Sequence, residues 1–273
     1  MTRNMLITVA LAMLTALPAI AKDASSLNAL SNRSDVMGLE AVGRLDSPSG
    51  FCSGTLIASD LVLTAAHCVY NWKTKAPYQA DELTFHAGMI DGIALAKRRA
   101  TRIAIDPDYD FAGKPSFARV AADVALILLE YPISISLAAP FAVHSDRNYQ
   151  GQISVVSYGK GREQNMSWQK SCNILQRYQG TFIMDCDVTF GSSGSAVFAR
   201  ENGRYRIVSL TSGIATHEGK QIAYGMELPD KVSALKRKIR ATPVRRHTSE
   251  KRIMVNKGSS RSTTQARFLK VKK

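Results

Sequence analysis

The sequence predicts an all-β fold, a sandwich or barrel, closed by one C-terminal helix. Three observations carry that reading. Short apolar runs recur along the chain, turn residues separate them, and helical periodicity is nearly absent. With 273 residues and 45% hydrophobic content, there is material for a full core, as one large domain or two small ones.

Residues 1–21 stand outside that fold. Arg3 gives a basic start, Met5 to Leu17 is a short apolar run, and Ala19-Ile20-Ala21 places small residues before a cleavage point. This is the pattern of a secretory leader, too short for a spanning helix with ordinary flanks. No later stretch reaches eighteen apolar residues, so no transmembrane segment is expected after its removal. Residues 22–40 are Ser- and Asn-rich and read as a loose N-terminal arm or pro-segment. The β pattern starts at Ala41–Leu45 and turns at Ser47-Pro48-Ser49-Gly50. Further strands are expected at Gly54–Ile57, Leu61–Thr64, Leu83–Ala87, Thr101–Ile105, Val124–Leu129 and Ile153–Tyr158. Phe182–Cys186, Ala196–Phe198, Tyr205–Thr211 and Ile222–Met226 complete the set. The helix is placed at Asp230–Arg240, with Val232, Leu235 and Ile239 on one face and Asp230 as its cap. Residues 241–273 are Lys-, Arg-, Ser- and Thr-rich and read as a disordered basic tail.

The net charge of +14 belongs mostly to that end of the chain. From Asp230 to Lys273 there are fifteen Lys and Arg against two acids, which leaves about +1 for the preceding 229 residues. A flexible basic tail binds polyanions, so an anionic surface or nucleic acid is a candidate partner. Aromatic residues do not alternate with the charges as in single-strand binders. The four cysteines, in an exported protein, point to two disulfides rather than a metal site. Three pairings are open; Cys52–Cys68 with Cys172–Cys186 is preferred, the first because a hairpin at Ser59-Asp60 brings its members together. No CxxC pair or HxxxH spacing is present, and neither a metal nor an organic cofactor is expected.

Three stretches bear chemistry. Leu63-Thr64-Ala65-Ala66-His67-Cys68 ends an apolar strand on a histidine, and a general base needs such rigid support. Asp123 opens the strand Val124–Leu129, where a carboxylate is costly unless paired. Phe190-Gly191-Ser192-Ser193-Gly194-Ser195 offers a serine on a tight turn, as an activated nucleophile requires. Each alone has a bland reading: a core histidine, a strand-start aspartate, a Gly/Ser loop. Their order and spacing, 56 and then 70 residues, are far more specific.

Together, Thr-Ala-Ala-His-Cys, Asp-Val-Ala-Leu and Gly-x-Ser-Gly-Ser resemble the trypsin/chymotrypsin-like serine proteases over roughly residues 40–240. The Ser-Gly-Ser ending is most similar to secreted bacterial members related to glutamyl endopeptidases. The resemblance implies two six-stranded antiparallel β-barrels with the site between them. It implies His67 as base, Asp123 as its orienter, Ser193 as nucleophile, and the N–H groups of Gly191 and Ser193 as the oxyanion hole. A serine endopeptidase acting on protein or peptide substrates, exported to a periplasm or beyond the cell and monomeric, is the expected function. A catalytically inactive relative used for binding, or a polyanion-binding protein acting through its tail, is the alternative. Three departures qualify the likeness. Ser192 stands where digestive enzymes keep the acid that pairs with a freed N-terminus. Ser209-Leu210-Thr211 resembles the substrate-pairing Ser-Trp-Gly strand of trypsin, with Thr211 replacing the glycine. Asp187, six residues before Ser193, matches the acid that selects Lys or Arg. A glutamate-reading histidine would fall near Val208 and is absent; His217 is misplaced to supply it.

Overall fold

The computed structural model describes residues 26–145 and 149–241. The leader and the basic tail lie outside the described residues.

The first barrel is closed by six strands: β2 (Val42–Ser47), β3 (Gly50–Ala58), β4 (Leu61–Thr64), β5 (Thr84–Ala87), β6 (Ala96–Ile105) and β7 (Ala125–Leu129). They run in the order β2-β3-β4-β7-β6-β5. Closure leaves no open edge, and β4 and β7 are buried on both faces, which is why they read as unbroken apolar runs. Leu45, Leu56, Val62, Phe85 and Ile127 fill the barrel.

The second half is a sheet rather than the closed six-stranded barrel expected. Its strands are β8 (Gln152–Gly159), β9 (Arg162–Tyr178), β10 (Thr181–Met184), β11 (Ala196–Glu201), β12 (Arg204–Leu210), β13 (Gly213–His217) and β14 (Lys220–Met226). The order is β12-β11-β8-β9-β10-β14-β13, with β1 (Asn28–Ala29) added on β9. A side chain stands where a ladder would complete the ring. Ser209 Oγ of β12 donates to Met226 O at 2.8 Å and accepts Met226 N–H at 2.9 Å. Gly225 allows that approach, because a Cβ there would strike Ser209 Oγ and Leu210 O.

The segment 22–40 is not a loose arm where it is described. Its β1 pairs with Trp168 and Ser167, and Leu30, Val36 and Leu39 are buried in the core shared by the barrel and the sheet. Arg33 donates to Gly88 O at 2.5 Å and Ile93 O at 2.6 Å. The helix α2 (Pro229–Ala241) buries Val232, Leu235 and Ile239 as the spacing predicts. It starts on Pro229, whose missing N–H is free to sit at a helix start. Lys231 meets Asp106 at 2.8 Å and Arg240 forks onto Asp60 at 2.6 and 2.5 Å, fastening the helix to the first barrel. A short helix, α1 (Phe117–Ala121), leads into Asp123 and is capped by Ser116 Oγ; its five residues show too little period to be read from sequence. Among the described residues no helix is long and apolar enough to cross a membrane.

Candidate active site

His67 sits one short turn beyond β4, in the 3-10 segment Ala66–Val69. Two devices fix that turn. The Cys52–Cys68 disulfide ties it to β3, with Cα atoms 6.0 Å apart. A cross-link closing a loop of this size adds about 3 kcal/mol in the chain-entropy account. Asp123 supplies the second, arriving from α1 just before β7.

Asp123 is 3% exposed, and three donors satisfy its carboxylate. Oδ1 accepts the His67 backbone N–H at 2.8 Å. Oδ2 lies 2.7 Å from His67 Nδ1 and accepts Ser212 Oγ–H at 2.5 Å. With Nδ1–H directed at the carboxylate, the imidazole must hold its free lone pair on Nε2. Burial works against the imidazolium, but the Asp123 charge and hydrogen bond outweigh it and raise the His67 pKa above its ordinary 6.5. Arg119 opposes them from the same cleft.

The serine turn is pinned to both sides of this pair. Ser53 N–H, next to the disulfide, donates to Ser193 O at 2.8 Å. Gly194 N–H donates to Thr211 O at 2.7 Å, next to Ser212. Gly194 has φ +75°, and a Cβ there would collide with Thr64 Oγ1, Ser53 O and Ala65 N. The turn therefore lies directly against the strand end that carries His67. Gly191 has φ +92° and no room for a side chain beside Phe51 and Gly159. The N–H groups of Ser192, Gly194 and Ser195 donate to backbone carbonyls. Among the described residues, those of Gly191 and Ser193 have no protein acceptor. Two N–H groups at or next to the half-buried Ser193 are thus left without a protein acceptor, as a site for a developing oxyanion requires.

Such an assembly, a serine on a glycine turn packed on the chain segment that leads to a carboxylate-oriented histidine, holds the residue types that acyl transfer uses. A family model for the trypsin-like peptidase domain matches residues 52–205, more than half of the chain. The chain belongs to the trypsin-like peptidase family. The match takes in His67, Asp123 and Ser193. The Modular serine protease of Drosophila melanogaster is 36% identical over 91 residues, which cover 31% of this chain and 14% of that protein. A solved Glu endopeptidase superimposes with a TM-score of 0.66 at 20% identity, covering 80% of this chain and 98% of that one. At that identity the likeness shows the chymotrypsin-like fold.

The other residues singled out in this trypsin-like peptidase fall in different places. Both expected disulfides are formed; the second, Cys172–Cys186, anchors the segment leading to the serine turn. Among the described residues, the two groups of His, Cys, Asp or Glu close enough to share an ion, Cys52/His67/Cys68 and Cys172/Asp185/Cys186, contain these disulfides, whose sulfurs are already committed. Ser209 and Thr211 are not brought to the cleft. Ser209 is the interior bridge to Met226, and Thr211 is buried with its hydroxyl bonded to Ser195 Oγ at 3.0 Å. Asp187 does not close the floor of a pocket. It is exposed, and its charge acts on Arg162.

The sequence reading passed over Ser212, and with it most of the cleft. A cavity of about 1010 Å³ adjoins His67 and Asp123 and is lined by Ser212, Gly213 and Ile214, with Tyr109, Phe117 and Tyr224 among its aromatic walls. Arg119 also faces it, lying over Tyr109 and Phe111 at 5.8 and 5.9 Å. A small signal was available for Ser212. A Ser-Gly step follows the apolar run of β12 after Thr211 alone, where the chain leaves the core.

Proposed function

We propose that this chain is an exported serine endopeptidase. Ser193 Oγ attacks the carbonyl carbon of a peptide bond while His67 Nε2 takes its proton, and the oxyanion is received by Gly191 N–H and Ser193 N–H. The C–N bond then breaks, the amine leaves with that proton, and water repeats the sequence on the acyl-enzyme. The observation that carries the reading is the buried Asp123 carboxylate holding both His67 and Ser212. A merely structural aspartate has no need to hold a histidine at the mouth of a 1010 Å³ cleft. Export rests on the leader-like residues 1–21 and on two disulfides, which persist in oxidising compartments. The test is hydrolysis of a peptide library by the purified chain, with Ser193→Ala as control.

The spacing of Asp187 gives the reading a finer form, a preference for Lys or Arg at the cleavage position. Its exposure favours a weak version only. An ion pair formed in solvent contributes about 0–1 kcal/mol, and Arg162 already shares the charge. Asp187→Ser is therefore expected to lower kcat/KM for an Arg peptide by less than about fivefold, with a matched Leu peptide unchanged. Equal losses on both peptides would remove Asp187 from substrate recognition.

A further inference from the structure

The turn Thr189–Ser193 depends on a glycine at φ +92° and carries two N–H groups without a protein acceptor among the described residues. Something must keep it in that form, and the structure places one cation beneath it. Arg162 is the first residue of β9, just past the Lys160-Gly161 turn. Its Nη1 donates to Ser157 O at 2.9 Å and its Nη2 to Ser192 Oγ at 3.2 Å. Ser192 and Ser157 are fully buried, their hydroxyls 3.0 Å apart, and Thr189 N–H reaches Ser192 Oγ at 3.3 Å. The turn before Arg162 joins the same assembly, since Lys160 N–H donates to Phe190 O at 2.7 Å. Gly159 leaves room for it: a Cβ there would lie 2.6 Å from Thr189 Oγ1 and 2.7 Å from Arg162 Nη2. Asp187 and Glu163 both act electrostatically on the guanidinium, so the charge is partly balanced although it is half-buried.

We propose that Arg162 is a positioning residue for catalysis: its guanidinium clamps Ser192 to β8 and so holds Gly191 N–H and Ser193 N–H in their oxyanion-binding arrangement. The inference rests on the function proposed above and adds a residue that does not touch the substrate. Arg162 suits the task because its planar fork presents donors to two acceptors in a fixed geometry, whereas the three donors of an ammonium rotate. The support is built into the chain and is present without cleavage to free an N-terminus. It also explains Ser192. A small neutral hydroxyl, fully buried, accepts from both Arg162 and Thr189 N–H.

The test compares wild type, Arg162→Met, Ser192→Ala and the double variant on one peptide substrate. A peptide boronate, which forms a charged tetrahedral adduct, and the product peptide are measured as inhibitors. Loosening the turn should lower kcat in Arg162→Met roughly a hundredfold with KM within about twofold. Boronate affinity should fall by a similar factor and product affinity should hold. The double variant should be no worse than the poorer single variant, because both substitutions break one link. A kcat near wild type in Arg162→Met, equal weakening of boronate and product, or multiplicative losses would each overturn the proposal. Should Arg162→Met not fold, Arg162→Lys carries the test: an intermediate kcat at wild-type KM supports the clamp, and a wild-type kcat overturns it. A wild-type chain that turns over no peptide overturns the proposed function and this inference together. Wild-type turnover matched by the variants overturns the inference alone.

Discussion

Asp123→Asn is expected to cut kcat by about ten-thousandfold while leaving the fold in place. The amide still offers Oδ1 to the His67 backbone N–H, so the turn stays anchored. Its NH₂, however, cannot accept Nδ1–H, and the imidazole is driven to the tautomer that carries its proton on Nε2. That histidine no longer accepts the serine proton. The pH profile supplies the sign. His67 works as a base only when neutral, and Asp123 raises its pKa, so wild-type kcat/KM should climb with pH through a value above 6.5. In Asp123→Asn the residual activity should titrate at lower pH. Stability follows the same linkage in reverse. The ion pair stabilises the folded state fully below pH 6.5, and that contribution is lost as pH rises through the raised value. Kinetics across pH 5–9, with thermal unfolding at each end, check both statements. A wild-type limb below 6.5 would contradict the account of the pair.

Gly194→Ala carries the largest expected effect on stability. The new methyl meets backbone oxygen and nitrogen at Ser53 and Ala65, which cannot rotate aside, and φ +75° costs an L-residue about 1–2 kcal/mol on its own. Overpacking adds about 1–3 kcal/mol, for a total of about 2–5 kcal/mol. Relief by shifting the turn would move Ser193 away from the chain segment that leads from β4 to His67, so activity should fall even in molecules that fold. Denaturant titration together with kcat measures both consequences. Gly203→Ala is the contrast for crowding, because it shares the positive φ (+78°) but has open space around it. Equal destabilisation at the two glycines would show that backbone strain alone is responsible.

These residues differ in how far the sequence exposed them. His67 and Asp123 stand out in the sequence because each adjoins an apolar run that has no use for it, and the Gly-Ser stretch because its glycines mark a tight turn. β4 was readable because burial on two faces leaves an unbroken apolar run, and α2 because burial at three- and four-residue spacing leaves a plain periodicity. β9 was missed because its seventeen residues are largely polar and lack the alternating run that marks a half-buried strand. The docked segment around β1 was missed because Leu30, Val36 and Leu39 are isolated apolar residues in a Ser/Asn-rich stretch, and only the finished core shows what they pack on. The likeness of Ser209-Leu210-Thr211 to trypsin's Ser-Trp-Gly put Ser209 and Thr211 at the cleft, but so short a match does not fix the register along the strand. Here they reach the interior and Ser212 reaches the cleft. Asp187 stands at the anticipated spacing, yet spacing carries no information on solvent access.

We propose Ser193 as a nucleophile activated by His67. A fluorophosphonate peptide probe tests it most directly, because it forms a stable bond only with an activated serine. After labelling of the intact protein and proteolysis, mass spectrometry should place a single adduct on the peptide containing Ser193. The adduct should be absent from Ser193→Ala and formed far more slowly in His67→Ala. Labelling that persists in Ser193→Ala, or a folded wild-type protein that takes up no probe, would contradict the account.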